Sequence, residues 1–155
     1  MAANCRFAFA VHILSVLSVH REGATSGQLA ASVNTNPVVV RRLLTTLRRA
    51  GFIKTQQGAR AGSQLCCEPS HIRLDAIYRA VESAASFSLH PQKPNQRCPV
   101  GRRIELVLGE VFASAQNALE HALAQRTLAD VLETMSAPPA RPTKKSAHVS
   151  RHRPR

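Results

Sequence analysis

The stretch NTNPVVVRRLLTTLRRAG, residues 34–51, predicts a helix that carries four arginines and no acidic residue. Asn36 suits the position before this helix, because its side-chain oxygen can accept a hydrogen bond from a free amide of the first turn. Pro37 suits the first helical position, where its missing N–H costs nothing, and Gly51 is typical of the residue after a helix end. The stretch therefore marks both ends of one helix.

The two sides of this helix differ in chemistry. Apolar residues recur at helical spacing and predict a buried side made of Val40, Leu43, Leu44 and Leu47. The outward side holds Val38, Arg41, Arg42, Thr45, Arg48 and Arg49. An ordinary solvated face usually mixes charges of both signs, whereas residues 34–54 contain no Asp or Glu. The pattern favours a face that fits a negative partner of defined shape over a simple solvated face.

The segments beside the arginine helix predict a small DNA-binding fold. Residues about 5–20 follow a helical period and form a mostly buried first helix. Thr25 or Ser26 can cap a short second helix over GQLAASV. After Gly51, FIKTQQ and SQLCCE alternate apolar and polar residues around the turn GARAG, which predicts a two-stranded hairpin. Three helices and a hairpin in this order form a winged helix-turn-helix, whose third helix enters the DNA major groove.

The rest of the chain returns to helix. Residues about 72–83 form one helix, a proline-rich loop follows, and residues about 102–125 form a long amphipathic helix. Thr127 and Asp130 predict a capping box at the start of a last short helix. The predicted fold class is mainly α with a small β-hairpin: a winged helix-turn-helix plus a long C-terminal dimerisation helix. The predicted divisions are a DNA-binding domain (1–83), a candidate sensory loop (84–101), the dimerisation and terminal helices (102–135) and a disordered basic tail (136–155).

The charge balance points to a polyanionic partner. A net charge of +12, from 21 Lys and Arg against 9 Asp and Glu, favours nucleic acid first and an acidic membrane surface second. Residues 137–155 hold six of the basic residues, no acid, four prolines and few large apolar side chains. Such a tail cannot offset its ordering entropy by burial, so we predict that it is disordered. The folded part stays basic without the tail.

The position of each arginine predicts its role on DNA. The N-terminal part of a recognition helix meets base edges, so Arg41 and Arg42 are candidates for reading guanine O6 and N7. Arg48 and Arg49, further along, are predicted to contact phosphate. Arg60, at the predicted hairpin tip, is predicted to neutralise a phosphate or to enter a minor groove. The full set of predicted DNA contacts is Asn36, Val38, Arg41, Arg42, Thr45, Arg48, Arg49 and Arg60.

Several blocks of the chain resemble one family. In order, RFAFAVHILSVL, TSGQLAASVNTNPVVVRRLLTTLRRAGFI, LDAIYRAVE, CPVG and TLADVL resemble the Rrf-type bacterial winged-helix transcription regulators. This group includes the iron–sulfur cluster regulator and the nitric-oxide-sensing repressor, and the resemblance covers about residues 5–134. It implies a homodimer whose long helix crosses its partner, a palindromic operator in double-stranded DNA and, usually, repression. The apolar stripe from Ile104 to Leu123 independently requires a large partner surface.

The chain departs from the family pattern in the wing and in its cysteines. Family members carry an arginine just before the wing glycine and an aromatic residue after the wing, where this chain has Gln57 and Ser63. The cluster-binding members place three cysteines in the loop before the long helix, where this chain has Cys98 alone. One thiolate plus His90 is too few ligands for a cluster. We therefore predict no cofactor, and no iron–sulfur cluster.

The cysteines suggest a reducing compartment and one sensor hypothesis. They are few and scattered apart from Cys66 and Cys67, which are predicted to lie on a strand and so to point to opposite faces. This pattern favours a cytoplasmic protein over a secreted one. Cys98 lies beside Arg97 and near the start of the long helix, and both features favour a reactive thiolate. Two interpretations of Cys98 stay open: a redox sensor and an inert cysteine.

Other classes of function have less support. No nucleophile–base pairing, phosphate loop, carboxylate pair or pair of histidines at metal spacing is present, so we do not expect an enzyme or a metal site. One alternative is a non-specific nucleic-acid-binding protein that uses its basic tail, with steeply salt-dependent binding. A second is a protein-interaction module on a winged-helix scaffold. The arginine helix, with no acidic residue beside it, argues against that module.

Overall fold

The computed structural model describes residues 5–56, 61–82 and 86–137. Helices and one hairpin make up the described part, which confirms the predicted fold class. A short 3-10 turn, Pro69–His71, precedes the fourth α-helix. The elements in chain order are α1 (Arg6–Val19), α2 (Ser26–Val33), α3 (Pro37–Arg49), β1 (Ile53–Gln56), β2 (Gly62–Leu65), α4 (Leu74–Val81), α5 (Ile104–Ala124) and α6 (Leu128–Ser136).

The core forms around α1, whose sequence is apolar on most sides. Ile13, Leu14 and Leu17 are almost fully buried there. Side chains from α2, α3, α4, α6 and β1 pack around them; they include Leu29, Val40, Leu47, Ile53, Ile77 and Leu128. Burying each side chain of this size contributes about 1.5–3 kcal/mol. The core therefore holds these five helices and the hairpin as one unit.

Local hydrogen bonds set the turn between α2 and α3. The Thr25 hydroxyl accepts from the Gln28 amide at 3.3 Å, and the Gln28 side chain accepts from the Thr25 amide at 2.9 Å, so Thr25 caps α2. Asn34 directly follows the last residue of α2. Its φ of +55° is the left-handed conformation that asparagine tolerates. Asn36 then caps α3, its Oδ1 accepting from the Val38 amide at 2.8 Å. The turn thus starts the arginine helix in a defined direction.

The hairpin is fixed to the segment between α1 and α2. Strands β1 and β2 are antiparallel, and the register pairs Ile53 with Leu65. Ala24 and Ser63 exchange two backbone hydrogen bonds, of 3.0 and 2.9 Å. A Cβ at Gly62 would lie 3.0 Å from the Ala24 carbonyl oxygen, so only glycine fits without a shift. The hairpin tip, with Gln57 and Arg60, lies outside the described residues, as does the tail from residue 138.

The predicted start of the fourth helix is two residues early. Residues 72–73 are extended instead, because they pair with the junction between α5 and α6. The Leu128 amide donates to the Ile72 carbonyl at 2.8 Å, and the Leu74 amide donates to the Arg126 carbonyl at 2.9 Å. These bonds join α6 to the winged helix.

The prediction that Cys66 and Cys67 lie on a strand is wrong. Strand β2 ends at Leu65, and both cysteines lie in a bend with exposed side chains. The Cys66 amide still donates to the Phe52 carbonyl at 2.9 Å. The strand ends there because its partner β1 begins at Ile53, directly after the turn at Gly51 and Phe52.

Helix α5 has no buried residue, although one side of it is apolar. Leu106, Val107 and Val111 are 70%, 53% and 55% exposed. Phe112 stacks on Phe87 of the preceding loop, with ring centroids 5.3 Å apart. Within the described ranges, none of the helices combines the length and apolarity needed to cross a membrane.

Candidate nucleic-acid interface

The outward face of α3 carries the predicted DNA contacts. Helix α3 buries Val40, Leu43 and Leu47 in the core, which turns the other side of the helix to solvent. The structure places all four arginines of α3 and Val38 on the exposed side. Thr45 is half-buried between them, and its hydroxyl donates to the Arg41 carbonyl at 3.0 Å. The sequence therefore predicted the exposure of the four arginines and Val38 correctly, whereas Thr45, predicted outward, and Leu44, predicted buried, are both half-buried.

The arginines of α3 have no acidic counterpart in the part of the chain that the structure describes. The ion pairs there join Arg73 and Arg79 to Asp75, and Arg79 to Glu120. None involves α3. Four positive charges on one exposed rod repel one another unless a polyanion is present. The phosphate backbone of a nucleic acid is such a polyanion.

A cleft of about 430 Å³ lies beside this face, between α2, α3 and the hairpin. Arg41 and Arg48 lie on the side of the cleft that α3 forms. The hydroxyl groups of Thr25 and Ser26, at the start of α2, lie on a second side of the cleft. The amides of the first turn of a helix favour an anion at such a place. The hairpin closes the third side. The lining residues are Thr25, Ser26, Arg41, Leu44, Thr45, Arg48, Thr55, Gln56, Ala61, Gly62 and Ser63.

Sequence reasoning missed part of this cleft. Thr25 and Ser26 were predicted as helix caps only, and Thr55 and Gln56 as strand residues without a role. The place of Thr25 and Ser26 in the cleft was predictable from the sequence. They start the helix before the recognition helix, and the start of that helix faces the same duplex. No sequence signal marked the second pair, since their position depends on how the hairpin packs against α3.

Asn36 and Arg60 stand apart from the other predicted contacts. Asn36 is exposed, but its Oδ1 is engaged in capping α3, so it positions the helix in addition to any contact with DNA. Arg60 lies outside the described residues. Its predicted phosphate contact stays a prediction.

Cys98 lies in a tight turn that leads to α5. Its amide donates to the Asn95 carbonyl at 3.1 Å, and its carbonyl accepts from the Arg102 amide at 3.1 Å. A Cβ at Gly101 would lie 2.3 Å from the Asn95 carbonyl oxygen, so the turn requires glycine there. The Cys98 side chain is half-buried. Across the described ranges, no three His, Cys, Asp or Glu side chains come together in a way that could hold a metal ion.

A polar junction joins the DNA-binding unit to α5. Tyr78 of α4 is hydrogen-bonded through its hydroxyl to Ser86 at 2.6 Å and accepts from Gln116 of α5 at 3.4 Å. Gln116 also accepts from the Ser86 amide at 3.3 Å and donates to Glu120 at 3.0 Å. The bonds to Gln116 fix where α5 leaves the winged helix.

Asp75 anchors the same junction from the core side. Its carboxylate is 1% exposed and accepts two hydrogen bonds from Arg73, at 2.9 and 2.7 Å, and one from Arg79. The hydrogen bonds from Arg73 are the main reason why the pKa of Asp75 lies below its ordinary value; the charges of Arg73 and Arg79 add to the effect, and burial opposes it. The carboxylate is therefore charged at neutral pH.

Comparisons with known proteins agree with this architecture. A family model described as Rrf2, iron-dependent transcriptional regulator, matches residues 3–134. YwnA of Bacillus subtilis (strain 168), named as a proposed HTH-type transcriptional regulator, is 43% identical over 130 residues, covering 83% of this chain and 96% of that protein.

Two solved structures are similar over most of their length. The crystal structure of a proposed DNA-binding protein has 40% identity and a TM-score of 0.66, covering 82% of this chain and 98% of that one. That of a proposed transcriptional regulator from Lactobacillus plantarum has 27% identity and a TM-score of 0.73, covering 84% and 89%. The chain therefore belongs to the Rrf2 family of DNA-binding transcriptional regulators.

Proposed function

We propose that this regulator is a homodimer that binds a palindromic operator through α3 and represses transcription. The observation that carries the proposal is the exposed arginine face of α3, which lies beside a cleft and has no acidic partner among the described residues. A symmetric dimer would place two such faces against successive turns of one side of the duplex, about 34 Å apart.

Each part of the interface has a proposed role. Arg41 and Arg42, near the start of α3, read base edges, with guanine as the best-matched base. Arg48 and Arg49 contact phosphates and set the register. The start of α2, with Thr25, lines the same cleft, where the positive end of the helix dipole favours a phosphate.

The dimer is proposed to form along α5. Leu106, Val107 and Val111 are exposed on a helix of 21 residues without a buried side chain. Several large apolar side chains exposed on one helix favour an interaction surface there. A second copy of the same helix offers a matching surface, since an interface with twofold symmetry is complementary to itself.

The residues of this chain do not fit an iron site, although the matching family model is described as iron-dependent. Cys98 is the one cysteine in the loop before α5, and the described residues bring no three ligands together.

Cys98 is proposed as a redox-responsive residue of a cytoplasmic regulator. Hydrogen peroxide would transfer one oxygen to the thiol, giving a sulfenic acid, and its other oxygen would leave as water. The turn that holds Cys98 leads directly into α5, so a larger and more polar group there would disturb the start of that helix. Unchanged DNA affinity after peroxide treatment of the parent, or an equal loss in Cys98→Ser, would contradict this role.

The test of the main proposal is selection from a pool of random duplexes at moderate salt. We expect an enriched palindrome. We expect the same palindrome from a chain that lacks residues 138–155, with lower overall affinity. Retention of all sequences without an enriched motif, or loss of the motif with the tail, would favour the non-specific binder.

A further inference from the structure

The adjacent thiols of Cys66 and Cys67 are the feature that the DNA-binding function does not use. They follow β2 directly and lie in a bend, and both side chains are exposed. A strand would direct neighbouring side chains to opposite faces, but a bend imposes no such separation. Cys5 and Cys98 lie on other segments, as single thiols.

Cys66 and Cys67 are consecutive in the sequence and line the same groove, so both thiols border one space. Partial burial raises the pKa of the Cys67 thiol, and the negative charges of Cys66 and Glu68 raise it further. The raised pKa of Cys67 makes this thiol slow to react with peroxide, because the thiolate is the nucleophile. The pair still suits an acceptor that binds both sulfurs and whose leaving groups carry away the two thiol protons.

A groove of about 650 Å³ lies beside the pair. Leu17, Val19, Leu65 and Leu132 give it apolar walls, and Lys54 and Arg21 lie at its polar side. A compound with one thiophilic atom and one organic group could bind there, with the atom on the sulfurs and the group in the groove. The Cys66 amide donates to the Phe52 carbonyl, next to the start of β1. A compound bound to the two cysteines therefore lies at the base of the hairpin.

We propose that Cys66 and Cys67 form a dithiol site for trivalent organic arsenicals. Arsenic(III) is a soft centre that prefers sulfur, as other thiophilic ions do. In the reaction, an arsenical that carries two hydroxyl groups forms two As–S bonds and loses two As–O bonds. The two thiol protons leave with the hydroxyl groups as two water molecules. Arsenic stays trivalent, so the step needs no oxidant or reductant.

Two sulfurs on neighbouring residues hold arsenic more tightly than two separate thiols. Once the first As–S bond forms, the second thiol is already at high effective concentration. Replacement of either cysteine by serine leaves a single As–S bond and should weaken apparent binding about 100-fold or more. This inference is independent of the proposed operator and of the dimer.

The test uses the full chain and phenylarsine oxide as the probe. Intact mass and thiol titration are measured for the parent, Cys66→Ser, Cys67→Ser and the double variant Cys5→Ser/Cys98→Ser. We expect one arsenical per chain and two thiols consumed, in the parent and in the double variant. A dithiol such as dimercaptopropanol should remove the arsenical, and excess glutathione should not.

Several outcomes would overturn the site. They are full binding by Cys66→Ser or Cys67→Ser, loss of binding in the double variant, and consumption of one thiol per arsenical. The double variant keeps the pair in its native surroundings, so the proposal can fail even if a single variant does not fold.

Discussion

Arg79 of α4 contacts Asp75 of its own helix and Glu120 of α5, with its Nε lying 3.6 Å from the Glu120 carboxylate. One guanidinium therefore touches both the winged helix and the helix proposed for dimerisation. Arg79 and Glu120 are partly exposed, so this contact contributes little stability, about 0–1 kcal/mol. Its significance is geometric, because it lies beside the hydrogen bond between Tyr78 and Gln116 that holds α5 against α4.

The buried carboxylate of Asp75 should make stability depend on pH. Its pKa in the folded chain lies below the ordinary value, mainly because of hydrogen bonds from Arg73. Its contribution is therefore fully present above about pH 4, the ordinary value, and is lost as the pH falls through the folded pKa. Urea unfolding between pH 3 and 7 should show this loss in the parent and a flatter profile in Asp75→Asn.

At neutral pH, Asp75→Asn should lower the free energy of unfolding by about 1–3 kcal/mol. The reason is that a buried neutral amide accepts weaker hydrogen bonds from Arg73 than the carboxylate does. Glu120→Gln is the matched control and should change it by less than about 1 kcal/mol. Equal pH profiles for Asp75→Asn and the parent would contradict the assigned role of the carboxylate.

Gly62 should be required for the attachment of the hairpin. A Cβ there would lie 3.0 Å from the Ala24 carbonyl oxygen and 3.1 Å from its carbon, which are backbone atoms that cannot rotate away. We expect Gly62→Ala to lower stability by about 1–3 kcal/mol. In the control, Gly27→Ala, the nearest atom would be Thr25 Oγ1 at 3.9 Å, so thermal unfolding should be unchanged or shifted upward. A Gly62→Ala chain as stable as the parent would refute the close contact.

Asn36 should show two separable roles. Asn36→Ala removes the acceptor that caps α3 and should cost about 1 kcal/mol of stability. Asn36→Asp keeps an acceptor for the Val38 amide, so thermal stability should be close to that of the parent. The added negative charge should nevertheless weaken DNA binding, because it lies at the start of the helix proposed to meet the duplex. Asn36→Asp with full DNA affinity would place this residue outside the interface.

Charge on the apolar side of α5 should separate the protomers. Val107→Glu places a carboxylate on a surface that the proposed dimer buries, which should weaken dimerisation by about 3 kcal/mol or more. Asn117→Glu is the control, since Asn117 is exposed and lies off the predicted apolar stripe. Sedimentation of both variants should give a monomer for the first and a dimer for the second. A dimeric Val107→Glu chain would move the interface elsewhere.

The fold was predictable where local chemistry decided it. The cap at Asn36, the proline at position 37 and the buried spacing of Val40, Leu43 and Leu47 give α3 its boundaries and its inner face. The capping box at Thr127 and Asp130 likewise begins α6 as predicted. In each case the deciding pattern lies within one short stretch of sequence.

The errors arise where distant segments meet. Residues 72–73 are extended because they pair with residues 126–128, which no local pattern indicates. The cleft between α3 and the hairpin depends on the bonds between Ala24 and Ser63, 39 positions apart in the sequence. Local spacing also placed Cys66 on a strand that ends one residue earlier.

The most direct test of the account is the affinity of the full chain for its selected operator and for a random duplex of equal length, at one salt concentration. Arg41→Ala is compared with Arg126→Ala, which removes the same charge from an exposed position outside α3. We expect Arg41→Ala to weaken operator binding by about 1–3 kcal/mol and to reduce the ratio of operator to random affinity. Arg126→Ala should leave that ratio unchanged. If Arg41→Ala lowers both affinities equally, α3 is a general phosphate-binding face and does not read the sequence.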